Sequence, residues 1–326
     1  MKRVSVFRWV AVGLAFGIGC SSPLMAGEVY PQRAVRIIDS FPPGGGTDVL
    51  ARLLAQELAA SLDQPFVVEN RPGAAGNIGT DQVAKAKPDG YTLGLAPNQT
   101  VAVNPVLYPK LPFDAANEIT GVSKLVRLPM VLAVPSSSDI RSVEDLIAAA
   151  KAKPEHLTFA SAGAGSPHHM AAAVFQKLTD TRMVHVPYKG SPPALIDVLS
   201  GTVDLIFCPL SSALPYIQDG RLRALGVTST ERLETLPETP TIAEKVPTFE
   251  SDIWMGMVAP AGTPSDVIEI LNQELQRILA QPKIRQNLAG QGFVIDASTT
   301  DEFNRLITED RQRWAEVIEA AGIKVE

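Results

Sequence analysis

Short apolar runs alternate with helical patterns along most of the chain, and this alternation constrains the fold more than any other sequence feature. VRIIDSF and LTFAS are nearly continuous apolar runs, as buried strands are, whereas VLARLLAQEL repeats apolar residues at helical spacing. Strands that alternate with helices predict an α/β protein with largely parallel sheets flanked by helices. The other strand-like runs are FVVEN, YTLGLA, MVLAV, MVHVPY, VDLIFCP and RALGVTS, and the other helical patterns are VEDLIAAAK, MAAAVFQKL, PALIDVLS and VIEILNQELQRIL.

The length of the chain favours two lobes, because about 300 mature residues exceed what one hydrophobic core usually serves. No low-complexity linker divides the chain, so we expect it to pass between lobes along extended apolar segments. LPMVLAVPSSS at 128–138 and WMGMVAPAGTP at 254–264 suit this task as two crossing strands that pair with each other and act as a hinge. Residues 28–128 with 254–326 would then form lobe 1 and residues 129–253 lobe 2, with a ligand in the cleft between them.

Residues 1–26 have the layout of a secretory signal peptide. Basic residues precede the apolar run WVAVGLAFGIG, and small residues surround Ala26, where we expect cleavage. The apolar run is too short to span a membrane. Cys20 leaves a second possibility open, namely processing and lipid attachment at this cysteine. We therefore expect the mature protein in the periplasm.

The mature chain is acidic. Removal of residues 1–26 takes away Lys2, Arg3 and Arg8 and no acidic residue, which leaves 26 of the 29 basic residues against 35 acidic ones, a net charge of −9. Nucleic acid is therefore not an expected partner. A negative surface does not attract anions either, so any anion selectivity has to come from local amides and hydroxyls. Cys208 is the one cysteine left, so we expect no intrachain disulfide.

The segment FPPGGGTD, residues 41–48, connects a strand-like run to a helical pattern. Glycines let a ligand approach the backbone closely, and the first turn of a helix leaves amide donors without intrahelical partners. Gly46 and Thr47 are therefore candidate donors to an anion or a polar ligand. Asp48 complicates this reading, since a carboxylate repels an anion, and we expect it to cap its own helix or to accept a hydrogen bond. A plain connection without a ligand is the alternative for this loop.

A second segment of the same kind, LTFASAGAGSPHHMAAAVFQKL at 157–178, reads strand, glycine loop, helix. Ser166 suits the N-cap and Pro167 the first helical position. Two such loops, one in each lobe, predict a two-sided grip in which Gly165 and Ser166 face Gly46 and Thr47. A helix terminus alone contributes about 0.3 to 2 kcal/mol, whereas micromolar affinity needs about 8 kcal/mol. Several charge-assisted hydrogen bonds of about 1.5 to 3 kcal/mol each, completed when the lobes close, would reach that total.

Other strand ends supply weaker candidates. Asn98 and Thr100 follow YTLGLA, and Tyr188 lies where MVHVPY ends, either as a cleft wall or as a packing aromatic. Asp204 is unusual beside a strand and is a candidate for holding a loop by hydrogen bonding. NRPGAAGNIG at 70–79 reads as a loop near a helix start, with plain structure as the alternative.

Signatures of enzymes and metal sites are absent from the sequence. There is no GxxxxGK[ST], GAAGNIG does not match GxGxxG, and GAGSP lacks the arrangement of a GxSxG nucleophile elbow. His168 and His169 point about 100° apart on one helix, which disfavours a shared metal, although His169 could face the cleft. Ser166 and His169 could meet as in an exported hydrolase, but no third orienting group can be assigned. We therefore expect no catalysis, no cofactor and no metal.

Several long motifs in a fixed order resemble the extracytoplasmic solute receptors of tripartite tricarboxylate transporters, the Bug or TctC family. The similarity runs from residue 30 to the carboxyl-terminal helix. The motifs are FPPGGGTDVLAR, VVENRPGAAGNIG, KPDGYTL, ASAGAGSPHHMA, VPYKGSPPALIDVLSGTVDLIF, RLRALGVTSTERLETLPETPTIAE and WMGMVAPAGTP.

This resemblance implies a two-lobed periplasmic binding protein fold of the type II-like class and no chemistry. It implies a ligand that is a small organic acid, a mono-, di- or tricarboxylate, held by the two glycine loops with ordered waters. It also implies a membrane permease with a large and a small subunit as partner, and we expect a monomeric receptor. The residues that match the binding positions are Phe41, Gly46, Thr47, Asp48, Ser161, Ala162, Gly165, Ser166, His169, Tyr188 and Asp204.

The departures from the family pattern are few. Ala75 stands at a position where Gly is commoner in the family, and Ala173 stands at a position where the family often has an acidic residue. Neither threatens the fold. An alternative function from another class stays open, since a closed receptor could present its surface to a signalling protein and act as a sensor. The identity of the acid does not follow from the sequence.

Overall fold

The structure is a computed structural model that describes Met1 and residues 30–324. The predicted signal peptide, its cleavage at Ala26 and the lipidation of Cys20 lie outside the described residues. The strands are β1 (Val35–Asp39), β2 (Phe66–Asn70), β3 (Thr92–Pro97), β4 (Ile119–Leu128), β5 (Met130–Pro135), β6 (Thr158–Ser161), β7 (Val184–Pro187), β8 (Leu205–Pro209), β9 (Leu222–Val227), β10 (Ile253–Pro260) and β11 (Val294–Ile295).

Helices connect most of these strands. The α-helices are α1 (Gly46–Leu62), α2 (Asn77–Ala84), α3 (Asn104–Leu107), α4 (Val143–Ala152), α5 (Pro167–Thr179), α6 (Ser191–Leu199), α7 (Leu210–Gln218), α8 (Ser265–Leu279), α9 (Pro282–Gly290) and α10 (Thr300–Ala321), with shorter helical turns at Ala74–Gly76, Gln99–Val103 and Ile242–Glu244. Between residues 30 and 324, no helix is both long enough and apolar enough to cross a membrane.

Local sequence explains the buried face of α1 and the start of α10. In α1, Leu50, Leu54 and Leu58 recur at helical spacing and are fully buried, so this face packs on the sheet. At the other end of the chain, α10 begins with a capping box in which Thr299 and Glu302 each bond to the other's backbone N–H. The α/β architecture predicted from the alternation is confirmed.

The strands form two mixed sheets. The first has the order β11-β4-β10-β3-β1-β2, in which β1, β2 and β3 are parallel and β10 is antiparallel to both β3 and β4. The second has the order β7-β6-β8-β5-β9, in which β6, β7 and β8 are parallel and β5 runs antiparallel to β8 and β9. Each sheet thus has three parallel strands on one side. The strands by which the chain passes from one sheet to the other run antiparallel to their neighbours.

The chain passes between the sheets at two places. Leu128 ends β4 in the first sheet and Met130 begins β5 in the second, so only Pro129 separates them. The return runs from Val227 at the end of β9 to Ile253 at the start of β10. The predicted crossing strands therefore start at the junction but do not pair with each other, because β5 and β10 each have both edges occupied within their own sheet.

The register shows that, in both sheets, the carboxyl ends of the parallel strands face this junction. In the first sheet, Ile253 pairs with Leu128 and Met255 pairs with Pro97, so the carboxyl ends of β3 and β4 lie together. In the second, Met130 pairs with Pro209, which places the carboxyl end of β8 beside the start of β5. Because parallel neighbours end at the same edge, the loops after β1 and β3 and those after β6, β7 and β8 flank one junction.

The hydrophobic core continues across the two sheets. β3, β5 and β10 are buried along their whole length. In β5, Leu132 and Val134 belong to the main cluster, whereas Val131 and Ala133 belong to a smaller cluster under α6 and α7, since successive strand residues point to opposite faces. The facing loops are thus supported on two rigid sheets.

Candidate ligand-binding cleft

The first glycine loop leaves backbone donors free at the start of α1. Gly45 is the N-cap residue, and within the described chain no side chain caps this helix. Gly44, Gly45 and Gly46 are exposed, whereas Thr47 and Asp48 are buried. The N–H groups of a first helical turn have no intrahelical acceptor, so those of Gly46 and Thr47 are available to a ligand.

Thr47 uses its hydroxyl inside the protein. Its Oγ1 donates to Oδ2 of Asp39 at 3.1 Å, and the backbone N–H of Phe41 donates to Oδ1 of the same carboxyl at 3.1 Å. Asp39 ends β1 and is completely buried, and this burial raises the pKa of its carboxyl to about 6. Thr47 can therefore offer a ligand its backbone amide, while its side chain holds the loop to β1.

Asp48 stabilises the loop from within. Its carboxylate accepts hydrogen bonds from the N–H of Gly44 at 2.9 Å and from Nδ2 of Asn70 at 2.9 Å, and it forms an ion pair of 2.9 Å with Nη2 of Arg52. Hydrogen bonding to Arg52 is the main reason that the pKa of Asp48 falls to about 2. The negative charge that appeared to oppose an anion site is thus paired and turned toward the protein.

The second loop is held by a similar set of internal bonds. Ser166 is the N-cap of α5, as the sequence predicted, and accepts from the N–H of His169 at 3.5 Å. Its hydroxyl donates to the carbonyl of Gly163 at 2.6 Å. The N–H of Gly165 donates to Nδ1 of His169 at 3.1 Å, so this amide and the Ser166 hydroxyl are both engaged.

Other amides of this loop remain available. The N–H groups of Ala162 and Ala164 have no acceptor among residues 30–324, and Ala164 is exposed. In this conformation the Gly165 amide and the Ser166 hydroxyl have internal partners, so whether they contact a ligand stays a prediction.

A histidine that the sequence reading did not single out supports the second loop. Nε2 of His185 lies 2.6 Å from Oγ of Ser161, and its ring stacks on His169 with centroids 3.9 Å apart. The Phe159 ring also packs on His185, with centroids 4.9 Å apart, and lies 6.0 Å from the ring of His169. Burial, and secondarily His185, lower the pKa of His169 to about 4, so His169 is neutral at pH 7. His185 could have been found only from the register that pairs it with Phe159.

The arrangement expected of a serine hydrolase is not formed by Ser166. The Ser166 hydroxyl donates to a backbone carbonyl, and Nδ1 of His169 accepts from a backbone amide, so neither is used in a nucleophile–base pair. Ser161 lies beside His185, but Ser161 is completely buried. A nucleophile has to be reachable by substrate, so this pair is structural.

Tyr188 lies along the second loop. The carbonyl oxygen of Tyr188 lies 3.6 Å from the position that a Cβ would occupy at Gly163. The N–H of Tyr188 donates to Ser161 O at 2.9 Å. Its hydroxyl donates to Asp197 at 2.6 Å, and the pKa of Tyr188 is raised to about 12, first by desolvation and then by Asp197. The Tyr188 backbone therefore lies along the second loop, while its ring packs against the smaller core cluster and its hydroxyl is bonded to α6.

Asp204 lies away from the cleft, and its assignment as a binding residue is corrected here. Its Oδ2 accepts from the N–H and the hydroxyl of Thr158, each at 2.7 Å. Thr158 is the first residue of β6, whereas the glycine loop follows the last one, Ser161. Asp204 thus fastens the amino ends of β6 and β8, at the sheet edge opposite the loop.

Asn98 lies where the two sheets meet. Its Nδ2 donates to the carbonyl of Asp252 at 3.2 Å. Asn98 also lines a small crevice with Pro167, the first residue of α5, and Asp252 at the start of β10. Residues from the first sheet's loops and from the second glycine loop's helix therefore share one crevice at the junction.

Phe41 and Thr100 meet the 70–79 loop on the first-sheet side. A Cβ on Gly76 would lie 2.6 Å from Cγ2 of Thr100 and 3.1 Å from the Phe41 ring, so only glycine fits there. Ala75, where the family commonly has glycine, adopts a left-handed φ of 53°, which explains that preference.

The structure also brings the segment Gly292–Phe293, which the sequence did not indicate, close to the first loop and to α7. A Cβ on Gly46 would lie 3.4 Å from the ring of Phe293, and a Cβ on the neighbouring Gly292 would lie 3.4 Å from Cβ of Ser211. Ser211 is in the first turn of α7, which follows β8 at the junction edge. QGFV at 291–294 carries no motif. PLSSAL at 209–214, a strand end followed by two serines, could have indicated the start of α7.

Comparison with known proteins shows the family of this chain. The family described as the tripartite tricarboxylate transporter family receptor matches residues 50–323. The protein BugT of Bordetella pertussis is 38% identical over 309 residues, which cover 94% of this chain and 94% of BugT.

Solved structures are similar as well. A protein of R. palustris with adipate has a TM-score of 0.78 and 34% identity, covering 90% of this chain and 99% of that one. MatC from Rhodopseudomonas palustris with bound malate has a TM-score of 0.74 and 30% identity, covering 89% of this chain and 100% of MatC.

Proposed function

This chain belongs to the tripartite tricarboxylate transporter receptor family, a family of substrate-binding receptors, and we propose that its own solute is a small organic carboxylate captured between two lobes. In this proposal lobe 1 comprises residues 28–128 and 254–326, and lobe 2 comprises residues 129–253. The observation that carries the proposal is that two glycine loops, each followed by a helix start, flank one junction between the sheets.

The chemistry of the cleft fits a carboxylate. The amides of Gly46 and Thr47 on one side and of Ala162 and Ala164 on the other present N–H groups without internal acceptors, and a carboxylate accepts several such bonds. At about 1.5 to 3 kcal/mol for each hydrogen bond to a charged group, three to five bonds supply the roughly 8 kcal/mol of micromolar binding. The helix dipoles add to this from both sides.

The side chains near the loops have positioning roles in this proposal. Asp48, Ser166 and His169 bond to loop backbone and keep the free amides pointed into the cleft. Ser161 is buried and supports the second loop through Gly163. Phe41, Asn98 and Tyr188 complete the walls. Asp204 has no part in the site.

The receptor would deliver its ligand in the periplasm to the membrane subunits of a tripartite transporter, and would do so as a monomer without cofactor or catalysis. Adipate and malate, seen with two related structures, set the ligand range to test. Titration calorimetry with adipate, malate and the neutral diamide adipamide tests the ligand class.

We expect at least one of the two acids to bind with micromolar or lower Kd and adipamide not to bind. At a hundredfold excess over Kd, the bound acid should stabilise the folded protein by about 2.7 kcal/mol. Equal binding of adipate and adipamide would contradict the amide-lined carboxylate site, and no binding across a wider panel of organic acids would contradict the receptor assignment.

A further inference from the structure

The turn Gly292–Phe293 connects α9 to β11 and touches both sides of the cleft. It is fixed at the end of α9, because the N–H of Gly292 donates to Ala289 O and that of Phe293 donates to Leu288 O, each at 3.0 Å. Gly292 has a left-handed φ of 82°, which turns the chain sharply there. The position of the Phe293 side chain is thus set by backbone geometry.

The Phe293 ring stands beside the amide donors of the first loop. Its Cζ lies 3.4 Å from the Cβ position of Gly46, the first residue of α1, and the side chain is only 5% exposed. An aromatic ring at this distance covers the Cα side of Gly46 and limits the access of water to the first helical turn from that side. Hydrogen bonds to a charged ligand are stronger where water is excluded.

The same turn reaches the opposite lobe. A Cβ at Gly292 would lie 3.4 Å from Cβ and 3.7 Å from the backbone nitrogen of Ser211 at the start of α7. One two-residue segment therefore spans the space between a helix start of lobe 1 and a helix start of lobe 2. Such a segment closes the flank of the cleft on which it lies.

We propose that Phe293 is a specificity-determining residue that forms this side wall and limits the width of the ligand next to its bound carboxylate. The inference rests on the proposed carboxylate site. Slender acids pass the ring, whereas an acid with a bulky group beside the carboxylate meets it. Nothing in the sequence around Phe293 indicates this role, since the contact depends on three separate elements.

Succinate and phenylsuccinate test the wall, because they differ by one phenyl group beside a carboxylate. Titration calorimetry gives the ratio of the phenylsuccinate Kd to the succinate Kd for the wild type, Phe293→Ala and Phe293→Leu. We expect the ratio to fall at least tenfold in Phe293→Ala and by a smaller factor in Phe293→Leu. The leucine variant keeps an apolar side chain and preserves the test if the alanine variant does not fold.

Phe66→Ala is the matched control. Phe66 is 8% exposed in the same lobe, but it starts β2 at the amino edge of the sheet, away from the cleft. We expect it to lose stability and to keep the wild-type ratio.

If the ratio of the two Kd values is unchanged in folded Phe293 variants, or changes equally in Phe66→Ala, Phe293 does not limit ligand width. Either result would leave the proposal of a carboxylate receptor unaffected. Failure of the wild type to bind any acid of the wider panel, succinate and phenylsuccinate included, overturns the proposed function and the wall together.

Discussion

The imidazole of His169 lies stacked on that of His185, with ring centroids 3.9 Å apart, and its Nδ1 accepts the N–H of Gly165. This relationship joins α5, β7 and the second glycine loop in one buried group. Because Nδ1 is the acceptor, the proton of the neutral ring is on Nε2. The loop therefore keeps its shape only while His169 is unprotonated.

The stability of the protein should fall in mild acid because of His169. The pKa of His169 is about 4 in the folded protein and about 6.5 in an unfolded chain. The unfolded chain therefore binds the proton first, and this group costs about 2 kcal/mol of folding free energy on going from pH 7.5 to pH 5. Denaturant unfolding at both pH values should show His169→Gln losing about that much less than the wild type.

The exposed His156 supplies the control for this pH effect. His156→Gln should reproduce the wild-type difference between pH 7.5 and pH 5. If His169→Gln also reproduces it, the neutral state of His169 is not what supports the loop.

Removal of the Asp48 carboxylate should destabilise the first loop. Asp48→Ala removes the acceptor of the Gly44 N–H and one of the acceptors of Asn70 and of Arg52, and a hydrogen bond to a charged group is worth about 1.5 to 3 kcal/mol. We expect the free energy of unfolding to fall by about 2 to 4 kcal/mol and the acid's Kd to rise at least tenfold. Asp81→Ala removes another i,i+4 ion pair, with Lys85 on α2, and should cost about 0.5 kcal/mol or less.

Ser166 should act as a helix cap with consequences for binding. Ser166→Ala is expected to lower the free energy of unfolding by about 1 kcal/mol, the usual cost of a lost cap, and to weaken acid binding. Ser142 caps α4 through the N–H of Asp145, away from the cleft, so Ser142→Ala should lose similar stability at unchanged affinity. Hydrolysis of p-nitrophenyl acetate by the wild type that disappears in Ser166→Ala would instead favour an enzyme.

Thr228 should be important for the junction between the lobes. Its buried Oγ1 accepts the N–H of Met130 at 2.8 Å and lies 2.5 Å from Oδ1 of Asp252. Thr228→Val leaves two buried polar groups unsatisfied, at about 1 to 3 kcal/mol each, so unfolding should need about 2 to 4 kcal/mol less. The Thr263 hydroxyl bonds only to Pro260 O within residues 30–324, so Thr263→Val should cost about 1 kcal/mol. Equal losses of stability in both variants would show that the Thr228 contacts at the junction stabilise the fold no more than an ordinary hydrogen bond.

Parts of the fold were predictable because they depend on short-range patterns. VRIIDSF and LTFAS became β1 and β6, and the Ser166 cap with Pro167 in the first turn formed as the local sequence indicated. ITGVSKLVRL was not recognised as β4, since its polar residues break the apolar run. β11 is two residues long and exists only because β4 offers it an edge.

By itself, the sequence determined the α/β class, the two glycine loops at helix starts and the family, because strand and helix periodicity, glycine conformation and capping act over a few residues. Only the tertiary structure decided which donors stay free. Register and packing brought His185 to Ser161, Phe293 to Gly46 and Ser211 to Gly292, engaged Gly165 and Asp48 internally, and removed Asp204 to the far edge of its sheet. These contacts join residues that are distant along the chain, and local propensity carries no information about them.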